Sequence, residues 1–129
     1  MPIDFLQLQD VLQIQEDQVR RYGGMVGVRD LGLLQSAIAQ PASTFGGQYL
    51  HQDIHHMAAA YLFHLCENHP FHDGNKRTAA VACIAFLDLN GYELNAPENQ
   101  FEALVWDVAK GKIEKDQIRT FLQKHTVKS

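Results

Sequence analysis

The chain has no apolar run of about 18 or more residues, no Cys-x-x-Cys pair, no internal repeat, no low-complexity tract and no excess of basic residues. Each absence removes a class of function. Without a long apolar run there is no candidate membrane-spanning helix. The opening Met1-Pro-Ile-Asp-Phe lacks the basic-then-apolar order of a signal peptide, so the chain is expected to stay in the cytoplasm. Its two cysteines, Cys66 and Cys83, fall inside apolar helical patterns, which suits buried thiols in a reducing compartment and gives them no chemical role. A formal net charge of −4 argues against a general nucleic-acid binder, which normally shows a basic face, and favours a protein target over DNA or RNA.

What is present is a chain of 129 residues, 46% hydrophobic and 20% charged, enough for one globular domain over 1–129 that buries roughly two-thirds of its unfolded surface. Apolar residues recur at helical spacing. Leu8, Val11, Leu12, Val19 and Tyr22 mark a first amphipathic helix that stops at Gly23-Gly24. Asp30 can cap a second carrying Leu31, Leu34, Ala37 and Ile38, closed by Pro41. Asp53 can cap a third, with Ile54, Met57, Ala58, Tyr61, Leu62 and Leu65 on one side. A fourth runs from about Lys76 to Asn90 with Ala80, Cys83, Ile84 and Leu87 facing inward, ending at Gly91. Phe101, Leu104, Val105 and Val108 make a fifth that stops at Gly111, and Ile113, Ile118, Phe121 and Leu122 support a sixth before a polar tail. The expectation is an all-α, compact helical bundle of about six helices.

Between the third and fourth helices lies His69-Pro-Phe-His-Asp-Gly-Asn-Lys-Arg-Thr78, ten residues that together hold the inventory of a phosphate-handling site. Gly74 permits a tight turn at the start of the fourth helix, where free N–H groups and the positive end of the dipole converge on an anion. His69 is the candidate general base, because only an imidazole has an unperturbed pKa close to neutrality. Asp73 is a hard oxygen ligand suited to Mg²⁺, which usually takes one or two carboxylates and fills its other positions with water and nucleotide phosphates. Asn75, Lys76 and Arg77 supply an amide, a point charge and a planar fork for phosphate oxygens. Phe71 is expected to anchor the loop in the core. Taken singly, these residues have structural uses: a helix cap, turn residues, a solvated first turn. Two consecutive cations in a first turn, however, oppose the macrodipole at about 0.3–1 kcal/mol each, which points to something negative in front of them.

These residues resemble the Fic/Doc family. Fic proteins carry His-Pro-Phe-x-(Asp/Glu)-Gly-Asn-Gly-Arg-x-x-Arg, whereas the Doc (death-on-curing) branch reads His-x-Phe-x-Asp-x-Asn-Lys-Arg, which His69, Phe71, Asp73, Asn75, Lys76 and Arg77 fit. Arg21-Tyr-Gly-Gly24, Arg29-Asp-Leu-Gly-Leu-Leu-Gln-Ser-Ala37, Phe86-Leu-Asp-Leu-Asn-Gly91 and Val108-Ala-Lys-Gly111 are similar to the branch's flanking segments in the same order. Lys76 stands where Fic proteins have glycine and Ala80 where they have the second arginine. The lysine fills space and adds charge, and the missing arginine removes a bidentate clamp, so the nucleotide is expected in another pose.

The resemblance implies a helical fold and the toxin half of a toxin–antitoxin pair. Fic proteins typically transfer AMP to a target hydroxyl, while Doc is understood to transfer the γ-phosphoryl group of ATP to elongation factor Tu, and this chain falls on the second side. His69 would then deprotonate a target Ser or Thr, Asp73 would hold Mg²⁺, and Asn75, Lys76 and Arg77 would hold ATP, with Gly74 giving the turn. Fic-type adenylylation and a catalytically silent partner-binding module are the alternatives. The fold also implies a flap beside the motif that can hold a target segment as an added strand; by position that is Phe45, Gly46, Gly47, Gln48 and Tyr49. Many Fic proteins inhibit themselves through Ser/Thr-x-x-x-Glu, but four residues on from Ser36, Ser43, Thr44, Thr78 and Thr120 stand Gln40, Gly47, Gln48, Ala82 and Lys124. Inhibition is therefore expected in trans, from a small antitoxin that folds on binding.

The seven histidines suggest a rival, a zinc hydrolase using His51 and His55 or His69 and His72. No His-Glu-x-x-His is present, and the first pair straddles the helix start at Asp53. His55, His56 and His64 are expected at surface or partly buried positions.

Overall fold

The computed structural model describes residues 2–129. Six α-helices carry the fold: α1 Leu8–Tyr22, α2 Leu31–Ala39, α3 Ile54–Asn68, α4 Asn75–Leu89, α5 Glu98–Ala109 and α6 Lys115–His125. The helical expectation is met, with boundaries where the caps predict. Asp30 and Asp53 accept hydrogen bonds from Leu33 and His56 N–H and start α2 and α3. Gln7 with Asp10, and Glu114 with Gln117, form reciprocal caps at the starts of α1 and α6.

Helix α3 is the central post. It packs against α2, α4, α5 and α6, and Met57 through Leu62 are fully buried, three of them alanines that let neighbouring backbones approach. A helix buried all round needs no polar face, which is why its apolar pattern is nearly continuous. Helix α4 lies beside it and also meets α1 and α5. Its inward face differs from the expected one. Thr78, Ala79, Ala82, Cys83, Phe86 and Leu87 are buried, whereas Ala80 and Ile84 are only partly so. One continuous core joins all six helices and includes both free cysteines, Cys66 and Cys83. Burial pushes both thiols up to about 12, so neither is a nucleophile at neutral pH.

Two small antiparallel sheets complete the fold. β1 Thr44–Phe45 pairs with β2 Gln48–Tyr49 around Gly46-Gly47. β3 Tyr92–Leu94 pairs with β4 Thr126–Lys128, so the expected polar tail is instead a strand that ties the last helix back to the end of α4. Among the described residues, no helix is long and apolar enough to cross a membrane.

Candidate active site

The site forms where α3 hands the chain to α4. Helix α3 ends because His69 enters the left-handed region at φ 49°, the one described residue other than glycine to do so. For a side chain with a Cβ this conformation costs about 1–3 kcal/mol and persists only where neighbours enforce it. Arg29 is the enforcing neighbour. Its guanidinium donates from Nε to the His69 carbonyl at 2.8 Å and from Nη2 to the Asn68 carbonyl at 3.1 Å, capping α3 with charge that suits a helix C-terminus. The backbone N–H groups of Arg29 and Asp30 both donate to the Pro70 carbonyl, at 2.7 and 3.1 Å. His69 itself is exposed, on the rim of a groove of about 350 Å³ lined by Phe63, Cys66, Ala109, Ile113 and Glu114.

Phe71 is 1% exposed and fastens the loop to the core. The Asn75 side chain then closes the turn by bonding Phe71 in both directions: Phe71 N–H donates to Oδ1 at 2.9 Å and Nδ2 donates to the Phe71 carbonyl at 3.0 Å. Expected as part of a phosphate clamp, the Asn75 amide is here committed to the loop's own backbone. What it leaves for an anion is its main chain. In any helix start the first N–H groups lack intrahelical partners, which here means those of Asn75, Lys76 and Arg77, and no side chain caps them. Gly74 makes the turn possible at φ 74°, and a Cβ there would meet Val19 Cγ2 at 3.4 Å.

Asp73 is exposed, and its Oδ2 accepts a hydrogen bond from Met25 N–H at 2.7 Å. The approach is close enough to exclude any side chain at Gly24, where a Cβ would stand 2.8 Å from Asp73 Cβ. Behind this contact sits Gln15, a polar residue 1% exposed on the inner stripe of α1 between Val11 and Val19. Its Nε2 reaches the carbonyls of Met25 at 3.2 Å and Asp73 at 3.1 Å, and its Oε1 accepts from Gly27 N–H at 3.3 Å. One buried amide thus pins α1, the 23–30 segment and the loop that carries Asp73 together.

The two cations lean on aromatic rings. Lys76 Nζ lies 4.4 Å from the centroid of Trp106, and Arg77 lies 4.7 Å over Tyr22. Tyr22 is exposed at the end of α1, so the Arg77 fork stays at the surface beside the free N–H groups.

The expected flap requires a correction. Phe45 to Tyr49 do form an extended hairpin, but it stands away from the motif. Tyr49 packs on Phe5, and Phe5 stacks on Phe86, which is roughly 16 Å along α4 from Asn75 at the usual rise per residue. The extended segment that does lie beside the loop is 23–30: Val28 bridges Phe71 in antiparallel fashion, and His72 N–H donates to the Gly27 carbonyl at 3.2 Å. Position between helices suggested the first segment; the antiparallel return of α2 along α3 delivers the second, because Asp30, at the start of α2, bonds Pro70.

The histidines of the zinc rival diverge. His55 Nε2 pairs with Thr126 Oγ1 at 2.7 Å, while His51 packs edge-on against His56 and meets Lys115 at 3.1 Å. Among the described residues no three metal-ligating side chains cluster. Arg29, Gln15 and Trp106 are the site residues that the sequence did not point out. Gln15 alone carried a signal, a polar residue at an apolar position of a helical stripe.

Two comparisons bear on this geometry. The family model described as Fic/DOC family matches residues 5–87. The chain is also similar to a curated protein of Mycolicibacterium smegmatis called Toxin Doc, at 40% identity over 99 residues that cover 75% of this chain and 76% of that protein.

Proposed function

The chain belongs to the Fic/DOC family, and on that premise we propose that it is the toxin of a toxin–antitoxin pair, a cytoplasmic enzyme that moves a phosphoryl group from ATP to a Ser or Thr hydroxyl of a protein target. The observation that carries this reading is that His69, Asp73, Lys76, Arg77 and three uncapped N–H groups all belong to one loop and the first turn of α4. Elongation factor Tu is the first target to test, and inhibition falls to a small antitoxin acting in trans.

In this mechanism His69 takes the proton of the target hydroxyl, which attacks phosphorus as ADP leaves. General-base help of this kind is worth about 10²–10⁴-fold. The N–H groups of Asn75, Lys76 and Arg77 bind the phosphates, and the Arg77 fork with the Lys76 ammonium stabilises charge that spreads over the transferring group. Asp73 fits Mg²⁺: one exposed carboxylate, aimed by the Met25 N–H, suits an ion held mainly by water and nucleotide phosphates. That ion would neutralise phosphate charge. The segment 23–30, extended beside the loop, is the edge on which a target peptide could add as a strand.

Intact mass of elongation factor Tu, and of a cell lysate, after incubation with the chain, Mg²⁺ and ATP tests the reading against a His69→Ala control. A His69-dependent gain of one phosphate group supports it. A gain of an AMP unit means that Fic-type transfer survives Lys76, and no change on any protein leaves a partner-binding module.

A further inference from the structure

Trp106 is the chain's single tryptophan, and it is 47% exposed on α5. Two ammonium groups lie near its ring: Lys76 Nζ, from the motif, at 4.4 Å and Lys110 Nζ, from the next turn of α5, at 5.6 Å. This indole lies outside the buried core, and it touches a side chain that comes directly from the first turn of α4. The C-terminal half of α5 borders the site a second time, because Val108 and Ala109 line the groove on whose rim His69 sits.

Resting on the reading above, we propose that Trp106 is the stacking platform for the heterocyclic ring of the nucleoside triphosphate whose phosphates lie at the α4 N-terminus. The chemistry is an exchange. Without nucleotide, Lys76 covers one indole face. A triphosphate draws that ammonium to its oxygens, the face is freed, and the base that arrives with the phosphates takes it. Stacking of a base on an aromatic ring outweighs a cation–π contact at an exposed position, so the exchange runs forward. Any base has a π-face, so the platform favours large purine rings over small ones by area rather than by hydrogen-bond readout. Lys110 stays beside the indole and can meet phosphate or ribose.

The single tryptophan makes the test direct, since all indole emission comes from this position. MgATP should protect Trp106 from acrylamide quenching in the intact chain, while magnesium tripolyphosphate, which has no ring, should bind without protecting it. By calorimetry, Trp106→Ala should weaken ATP binding roughly 5- to 100-fold and leave tripolyphosphate within twofold, and Trp106→Phe should recover most of the loss. Unchanged melting of Trp106→Ala would show that the fold is intact. Equal ATP affinity in wild type and Trp106→Ala, or equal acrylamide access with and without ATP, would overturn the platform while leaving the phosphotransferase reading in place. Failure of the wild-type chain to bind either ATP or tripolyphosphate would sink both.

Discussion

His64 lies near the end of α3 and His69 is the residue that caps it, and their surroundings are opposite. The ring of His64 is partly buried, and its Nε2 meets Lys115 Nζ at 3.0 Å. The same ammonium reaches His51 Nε2 at 3.1 Å; His51 packs against His56, and His56 faces Asp116 at 3.5 Å. Burial, and then the Lys115 charge, hold His51 and His64 down to about 4. Their lone pairs already serve a neighbour, so neither ring can lift a proton from a substrate near neutrality. The imidazole of His69 is exposed and, among the described residues, makes no hydrogen bond, while its backbone is held at φ 49° with Arg29 on its carbonyl. On the proposed mechanism, the base is distinguished by a fixed backbone and a free ring, and the histidines of the Lys115 cluster by rings already in use.

The sharpest way to break this contrast is to remove each ring in turn. His69→Ala should lower phosphoryl transfer by about 10²–10⁴-fold. His64→Ala, measured in the same mass-based assay, should stay within a few-fold of wild type per folded molecule. Equal losses in the two variants would show that free ring against engaged ring is not the distinction that matters.

The next effect concerns the fixed backbone. Arg29→Met removes both caps on the α3 C-terminus, and His69 loses what holds it in the left-handed region. We expect kcat to fall about 10- to 100-fold with KM for ATP unchanged, since misplacing a catalytic group by roughly an ångström costs up to about 10²-fold. Arg29→Lys keeps one donor and should restore part of the rate. A variant that loses only melting temperature, at full activity per folded molecule, would make Arg29 a plain helix cap.

The engaged rings should speak through acid stability instead. Because His51 and His64 hold protons less well in the fold than in the unfolded chain, whose value is 6.5, the unfolded state binds the extra protons between about pH 6.5 and 4. Stability is therefore complete above that window and falls as pH drops through it, by on the order of 2 kcal/mol in all once solvent screening is allowed for. Lys115→Met should ease this acid sensitivity without removing it, because desolvation outranks the lysine among its causes. Urea midpoints from pH 7.5 to 4.5 measure both. A flat profile would mean that water reaches the cluster freely.

Much of this could be read along the chain because it is local. The six helices follow from apolar spacing and from caps such as Asp30 and Asp53, and the motif from His69 to Arg77 is one contiguous stretch of chain, a loop and the first turn of α4. The inner face of α4 was displaced toward Ala80 and Ile84 because a helix with apolar residues on most sides has little periodicity to read. The strands Tyr92–Leu94 and Thr126–Lys128 are too short to show alternation and pair across two intervening helices. For the same reason Arg29 and Trp106 were silent: each reaches the loop from a different helix or connection, and only tertiary packing brings them there.

The smallest predicted effect tests the segment that sequence position had favoured. Phe45, 81% exposed, sits in β1 beside the Gly46-Gly47 turn and pairs with Gln48. Phe45→Ser should shift stability by no more than about 0.5 kcal/mol, as surface changes do, and leave transfer to the protein target unchanged. Gly24→Ala is its counterpart in the segment that does lie beside the loop. There the backbone at φ 115° and the 2.8 Å approach to Asp73 leave no room for a methyl group, so transfer and Mg²⁺ response should both suffer. If Phe45→Ser instead raised KM for the protein target while leaving ATP binding intact, the hairpin would be a docking point remote from the chemistry, and target recognition would extend along the whole length of α4.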